Sequence, residues 1–161
     1  MARTIIGVMG PGSGATQDDM ELAYELGKQI AAEGWVLLTG GRDIGVMDAA
    51  SCGAREAGGL TIGILPGSSR RDSSRYVDIP IVTGMGSARN NINVLSSEVV
   101  IGCGTGKGTI SEIMLALKAG KPVMVINQSR QAGRFFRSLD DKDLVLCDTP
   151  EQVIHEVKSK L

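Results

Sequence analysis

Histidine is almost missing from this sequence: His155 is the only one. It lies in a terminal segment, Glu151 to Leu161, among acidic and basic neighbours, where a solvated surface side chain is expected. Catalysis by an imidazole, or a metal held by imidazoles, is thereby disfavoured. Cysteine is nearly as scarce. Cys52, Cys103 and Cys147 are odd in number and widely spaced. That excludes a complete disulfide framework, fits no zinc-ligand pattern, and reads as three small, buried apolar residues. Neither charge sign is in excess, with 17 Lys and Arg against 18 Asp and Glu. The chain therefore carries no overall basic field for nucleic acid, and an anionic ligand requires local cations. No apolar run approaches the roughly 20 residues needed to span a bilayer. No charged-then-apolar leader precedes the first strand, so a cytoplasmic protein away from membranes is expected.

What the sequence has in quantity is glycine, 22 of 161 residues, clustered just after apolar β-branched runs. Glycine there permits tight turns and lets the backbone approach a ligand. Short apolar runs alternate with longer segments of helical period, which predicts an α/β fold. The expected architecture is one Rossmann-like domain over residues 1–161: a doubly wound, mostly parallel sheet flanked by helices. Strands are expected near Thr4 to Met9, Val36 to Thr39, Leu60 to Leu65, Ile79 to Val82, Glu98 to Ile101, Pro122 to Ile126 and Leu144 to Cys147. The first helix should start after Thr16 as N-cap and end before Gly34, and the second should run from Gly45 to the Gly58-Gly59 pair. Later helices are expected at Ser87 to Ser96, Thr109 to Ala119, Gln131 to Leu139 and Thr149 to Ser159. Residues 66–76 interleave serines with Arg70, Arg71 and Arg75 without useful periodicity. They read as a mobile loop, either solvated basic surface or a flap that closes over a phosphate.

In an open parallel sheet, ligands bind beyond the carboxyl ends of the strands, where helix N-termini offer unpaired amides. Three glycine clusters fall there: Gly10-Pro11-Gly12-Ser13-Gly14, Gly40-Gly41-Arg42, and Gly102 through Thr109 with Gly104, Thr105, Gly106, Lys107 and Gly108. Together they predict a phosphate cradle. Gly10-x-Gly12-x-x-Ala15 loosely matches a dinucleotide fingerprint, but the second strand ends in Thr39-Gly40-Gly41 where a ribose-binding acid is expected, which disfavours NAD. Gly106-Lys107 is followed by Gly108 instead of Ser or Thr, which disfavours a magnesium-dependent P-loop. Thr109 suits either a phosphate contact or a helix cap. Glu112, three residues on, suits either a capping box or a carboxylate facing the ligand. Arg42, Arg89 and Lys107 follow different strands and are expected to converge at one rim. Arg89 is the foremost candidate, because a guanidinium at a helix start can grip a phosphate bidentately.

The glycine-rich first loop, Thr39-Gly40-Gly41, Arg89 and Gly106-x-Gly108-Thr109-x-x-Glu112 together resemble the LOG-like superfamily over almost the whole chain. Its phosphoribohydrolases carry Pro-Gly-Gly-x-Gly-Thr-x-x-Glu with a preceding arginine that pairs with the glutamate; here Gly104 and Thr105 replace the Pro-Gly. Ile5 to Gly12, Gly34 to Arg42, Asp78 to Gly84 and Gly86 to Asn93 more closely resemble the molybdenum cofactor carrier proteins of green algae and bacteria. That resemblance implies a non-catalytic homo-oligomer, dimer or tetramer, which binds the molybdenum cofactor, protects it and passes it to molybdoenzymes such as nitrate reductase. It places Gly10, Pro11, Gly12, Gly40, Gly41, Arg42, Ser87, Arg89, Asn90, Gly104, Thr105, Gly106, Lys107, Gly108, Thr109 and Glu112 around the cofactor, with no protein ligand to the metal. The alternative is a nucleoside 5'-monophosphate phosphoribohydrolase in which Arg89 and Glu112 are catalytic.

Overall fold

A computed structural model describes residues 2–139 and 142–161 of the chain. Seven strands occur in sequence order as β1 (Ile5–Met9), β2 (Val36–Thr39), β3 (Thr61–Leu65), β4 (Ile79–Val82), β5 (Val99–Cys103), β6 (Val123–Ile126) and β7 (Leu144–Cys147). All pair in parallel, in the order β4-β3-β2-β1-β5-β6-β7. The helices are α1 (Gln17–Ala32), α2 (Gly45–Glu56), α3 (Arg89–Leu95), α4 (Lys107–Lys118), α5 (Arg130–Ser138) and α6 (Pro150–Lys160). The expectation of a doubly wound α/β sheet is met, and the sheet is parallel throughout.

Strand alternation divides the core into two layers. Ile6 and Val8 of β1 and Leu37 of β2 turn toward α1, α2 and α6, meeting Leu26, Ile30, Val46, Ala50, Val153 and Val157. Leu38, Val100, Val123 and Val125 turn the other way, onto Val94 of α3, Ile113 and Ala116 of α4 and Phe136 of α5. Helices α1 and α2 cross at bare backbone: a Cβ on Gly27 would overlap the Ala50 carbonyl oxygen, and one on Gly53 that of Tyr24.

The first helix starts as predicted, since Thr16 Oγ1 accepts the Asp19 N–H at 3.1 Å and an Asp19 carboxylate oxygen accepts the Thr16 N–H at 2.9 Å. This reciprocal cap satisfies two amides that the helix itself cannot. The other Asp19 oxygen accepts from Asn127 at 2.7 Å, tying α1 to the loop after β6.

Two helix starts differ from expectation. Gly84 and Gly86 adopt φ of 62° and 55°, which holds Gly86–Ala88 in a 3-10 turn and delays α3 to Arg89. Helix α4 begins at Lys107, two residues earlier than expected, because extended Gly106 is its N-cap. Thr109 and Glu112 consequently lie inside the helix and form no capping box. Cys103 and Cys147 are buried as expected, whereas Cys52 is half-exposed, its thiol 3.6 Å from the Glu56 carboxylate. His155 lies exposed on α6. No helix among the described residues is long and apolar enough to cross a membrane.

Candidate functional site

The glycine loops meet at the carboxyl ends of β1, β2 and β5 in a cleft of about 570 Å³. The strand order reverses here, since the chain leaves β1 toward β2 on one side and returns at β5 on the other. Gly10 packs its bare Cα against Val46 and the Cys103 carbonyl, which draws the β1–α1 loop down onto the start of α2. Gly40 does the same for Arg89: a Cβ there would strike the guanidinium, so the absence of a side chain lets the arginine lie against the backbone of the second loop.

Helix α4 points its N-terminus into the cleft. Gly106 has φ −150° and ψ 160° and offers no side-chain cap. The first amides of the helix, around Lys107 and Gly108, therefore face the cleft with the positive end of the helix dipole behind them. Thr109 is only 2% exposed, and its hydroxyl has no hydrogen-bond partner. The Nε of Arg89 and the Oδ1 of Asn93 are likewise buried without partners. Native proteins pair nearly all such groups; here two of the three, on Arg89 and Thr109, belong to residues that line the cleft, and Asn93 lies buried behind Glu112.

Glu112, at 5% exposure, lies beside them on α4. One of its oxygens accepts a 2.8 Å hydrogen bond from Asn93 Nδ2. Burial pushes its carboxyl up to about 7, against the opposing effects of the Asn93 bond and the Arg89 charge. Arg89 is shifted down, chiefly by burial, with Glu112 acting to raise it and Arg42 to lower it further. A guanidinium stays protonated regardless. The cleft therefore holds a permanent, partly desolvated cation next to a carboxyl close to its titration midpoint at neutrality.

Burial disfavours the ionised carboxylate, so Glu112 supports the fold most strongly below its ordinary value of 4.5. That contribution falls as the pH rises and is lost above about 7. The full span corresponds to about 3 kcal/mol. Glu112→Gln preserves an acceptor for Asn93 and removes the titration. Thermal melts across this range should show wild type losing stability relative to the variant as pH rises; parallel curves would contradict the assignment.

Of the residues expected around a ligand, Gly10, Pro11, Gly12, Gly40, Arg42, Arg89, Asn90, Thr105, Gly106, Lys107, Gly108, Thr109 and Glu112 line the cleft. Three do not. Gly41 turns at φ 77° and packs on Gly63, Gly104 turns at φ 78° against the Asp19 carboxylate, and Ser87 is exposed in the 3-10 turn. Ser13 and Gly14, from the first glycine cluster, line the cleft as well; Met9 and Met47 do so without having been expected there, and Asn93 joins it through Glu112. Met47 and Asn93 sit on helix faces that carry no motif signal. Residues 66–76 contribute nothing to the lining. That loop is tied to the second glycine loop on either side of Arg42, by Ser74 N–H to Gly41 O (2.9 Å) and Asp43 N–H to Asp72 O (3.0 Å).

Residues 3–154 match the SLOG cluster4 family. The molybdenum cofactor binding protein of the phototrophic bacterium Rippkaea orientalis is 55% identical, with a TM-score of 0.96 over 99% of this chain and 98% of that one. The molybdenum cofactor carrier protein of Chlamydomonas reinhardtii is 51% identical, with a TM-score of 0.93 and the same coverage. The cytokinin riboside 5'-monophosphate phosphoribohydrolase of Mycobacterium tuberculosis is 33% identical over 116 residues, 67% of this chain and 62% of that protein.

Proposed function

The chain belongs to the SLOG cluster4 family, and from that premise we propose that it is a cytoplasmic carrier of the molybdenum cofactor, holding it, shielding it and releasing it to molybdoenzymes such as nitrate reductase. The observation that carries this reading is the uncapped N-terminus of α4 opposite the Arg89 guanidinium. Such an arrangement suits the terminal phosphate of the cofactor, with Lys107 and Arg42 adding charge at the mouth. Gly10, Gly12 and Gly40 leave room for a broad pterin to lie against backbone. Met9 and Met47 give it a soft apolar wall. A dithiolene exposed to water and oxygen is oxidised, and a cleft that buries it slows that loss without ligating the metal. Among the described residues there is no cluster of three or more His, Cys, Asp or Glu suited to a metal ion; in this reading the metal is cargo held through its organic ligand.

A second reading has its own support. Glu112, buried and beside Arg89, is the kind of carboxyl that stabilises an oxocarbenium-like ribose, and the mycobacterial relative is named as a phosphoribohydrolase. One experiment separates the two: anaerobic titration with molybdenum cofactor and with AMP, followed by transfer to cofactor-free nitrate reductase and assay for released adenine. Tight cofactor binding, recovery of reductase activity and intact AMP are expected. Adenine release that Glu112→Gln abolishes, with no cofactor binding, would replace the carrier by the enzyme.

The carrier is a homo-oligomer in this reading. Ile79, Ile81 and Val82 of edge strand β4 are 39–44% exposed, and Met85 before α3 and Leu95 at its last position are more than half exposed. An apolar, unpaired sheet edge is an aggregation hazard unless another chain covers it. Ile81→Asp should shift the protein to monomer in light scattering while leaving the monomer folded; an unchanged mass would place the interface elsewhere.

A further inference from the structure

A second concavity, of about 280 Å³, opens farther along the same rim at the carboxyl ends of β6 and β7. Leu22 and Leu146, both half-buried, form its apolar floor, with Val125 buried beneath, and Arg130 and Arg137 of α5 stand at its edge. The Arg137 guanidinium folds back along its own helix: it comes to 3.4 Å from where a Cβ on the buried Gly133 would be. It is thereby brought within a turn of the positive end of α5, where a cation is electrostatically disfavoured. Among the described residues, neither Arg130 nor Arg137 makes a hydrogen bond or an ion pair. Asp148, also on the lining, offers one negative charge against two positive ones.

The remaining wall is fixed and largely spent. Gln128 Nε2 donates to the carbonyls of Gly102 (3.2 Å), Gly104 (2.8 Å) and Ile126 (3.0 Å), and Asn127 Nδ2 is committed to Asp19. The Ser129 N–H is given to Thr105 Oγ1 at 2.9 Å, and its hydroxyl caps Ala132. Recognition therefore falls to the two arginines and the helix end. Two guanidiniums match the double charge and tetrahedral oxygens of a phosphate better than a planar, singly charged carboxylate. The concavity exceeds a bare phosphate, and its apolar floor suits a small organic body. We infer that it is a second binding site, beside the cleft and separated from it by the Thr105–Ser129 bond, for a small phosphate monoester whose phosphate lies between Arg130 and Arg137 and whose body lies against Leu22 and Leu146.

The test is a two-dimensional NMR titration of the full chain with phenyl phosphate, inorganic phosphate and benzoate. Phenyl phosphate should shift the backbone signals of Ser129, Arg130 and Gly133. Inorganic phosphate should act on the same signals about tenfold more weakly for want of the apolar body, and benzoate more weakly than phenyl phosphate. Arg137→Ala and Arg130→Ala, both at exposed positions, should each weaken that titration about tenfold and leave the response of Gly106 and Gly108 in the cleft unchanged. Stationary Ser129 and Gly133 signals while the cleft titrates would overturn the site. So would shifts indifferent to both variants, and benzoate binding as well as phenyl phosphate would overturn the phosphate assignment.

Discussion

Arg89→Ala is expected to weaken molybdenum cofactor binding about a hundredfold while leaving the apo protein as stable as wild type or more so. The affinity loss follows from removing a desolvated charge partner of an anion, a change that costs about 3 kcal/mol. The stability effect has the opposite sign because burial of the guanidinium, first among these costs, its unpartnered Nε, its contact with Gly40 and the like charge of Arg42 together outweigh the attraction of Glu112. A side chain that is a liability in the empty protein and an asset in the loaded one is the usual signature of a binding residue. Arg89→Lys keeps the charge and loses the planar fork, so it should fall between the two, about tenfold weaker than wild type. The readouts are an anaerobic cofactor titration and a thermal melt. Unchanged affinity would remove Arg89 from the site, and a large drop in Tm would show it to be structural.

Gly27→Ala should destabilise the protein by about 3 kcal/mol, roughly 6 to 12 °C in Tm. Helix propensity alone argues the other way, since alanine in place of a mid-helix glycine gains about 1 kcal/mol. Packing prevails because the added methyl would meet the Ala50 carbonyl and the Ala54 amide, which are main-chain atoms of α2 and cannot rotate aside as a side chain would. Separating α1 from α2 would also loosen Val46 and Ala50 against β1. Denaturant or thermal unfolding decides it: a variant more stable than wild type would mean that the crossing tolerates a methyl and that propensity governs.

Local signals in the sequence were reliable, and signals that depend on a neighbour were not. Thr16 and Asp19 settle each other across three residues, so the start of α1 could be read directly. The strands at residues 36–39, 79–82 and 144–147 stand where their apolar runs are, because flanking turns bound them. Thr109 and Glu112 show the same three-residue spacing as a capping box, but Gly106 occupies the cap first and moves both residues one turn inward. There Glu112 takes its partner from Asn93, on a different helix. Nothing local to Asn93 predicts this, since its role exists only once α3 lies against α4. Gly41 and Gly104 have the opposite history. They belong to loops that build the cleft, yet their left-handed turns serve to bring those loops together and direct them away from the lining.

Strand order has a consequence for how the protein is made. Strand β1 lies between β2 and β5, yet β5 begins at residue 99, and the Asp19–Asn127 bond joins positions 108 residues apart. A nascent chain that has left the ribosome only as far as β4 therefore presents β1, with four of its five residues destined for burial, as an open edge. Closing that edge requires contacts distant in sequence, which are slow to form. During that interval a chaperone has an apolar strand to hold, and the cleft is incomplete, because its α4 end has not yet emerged.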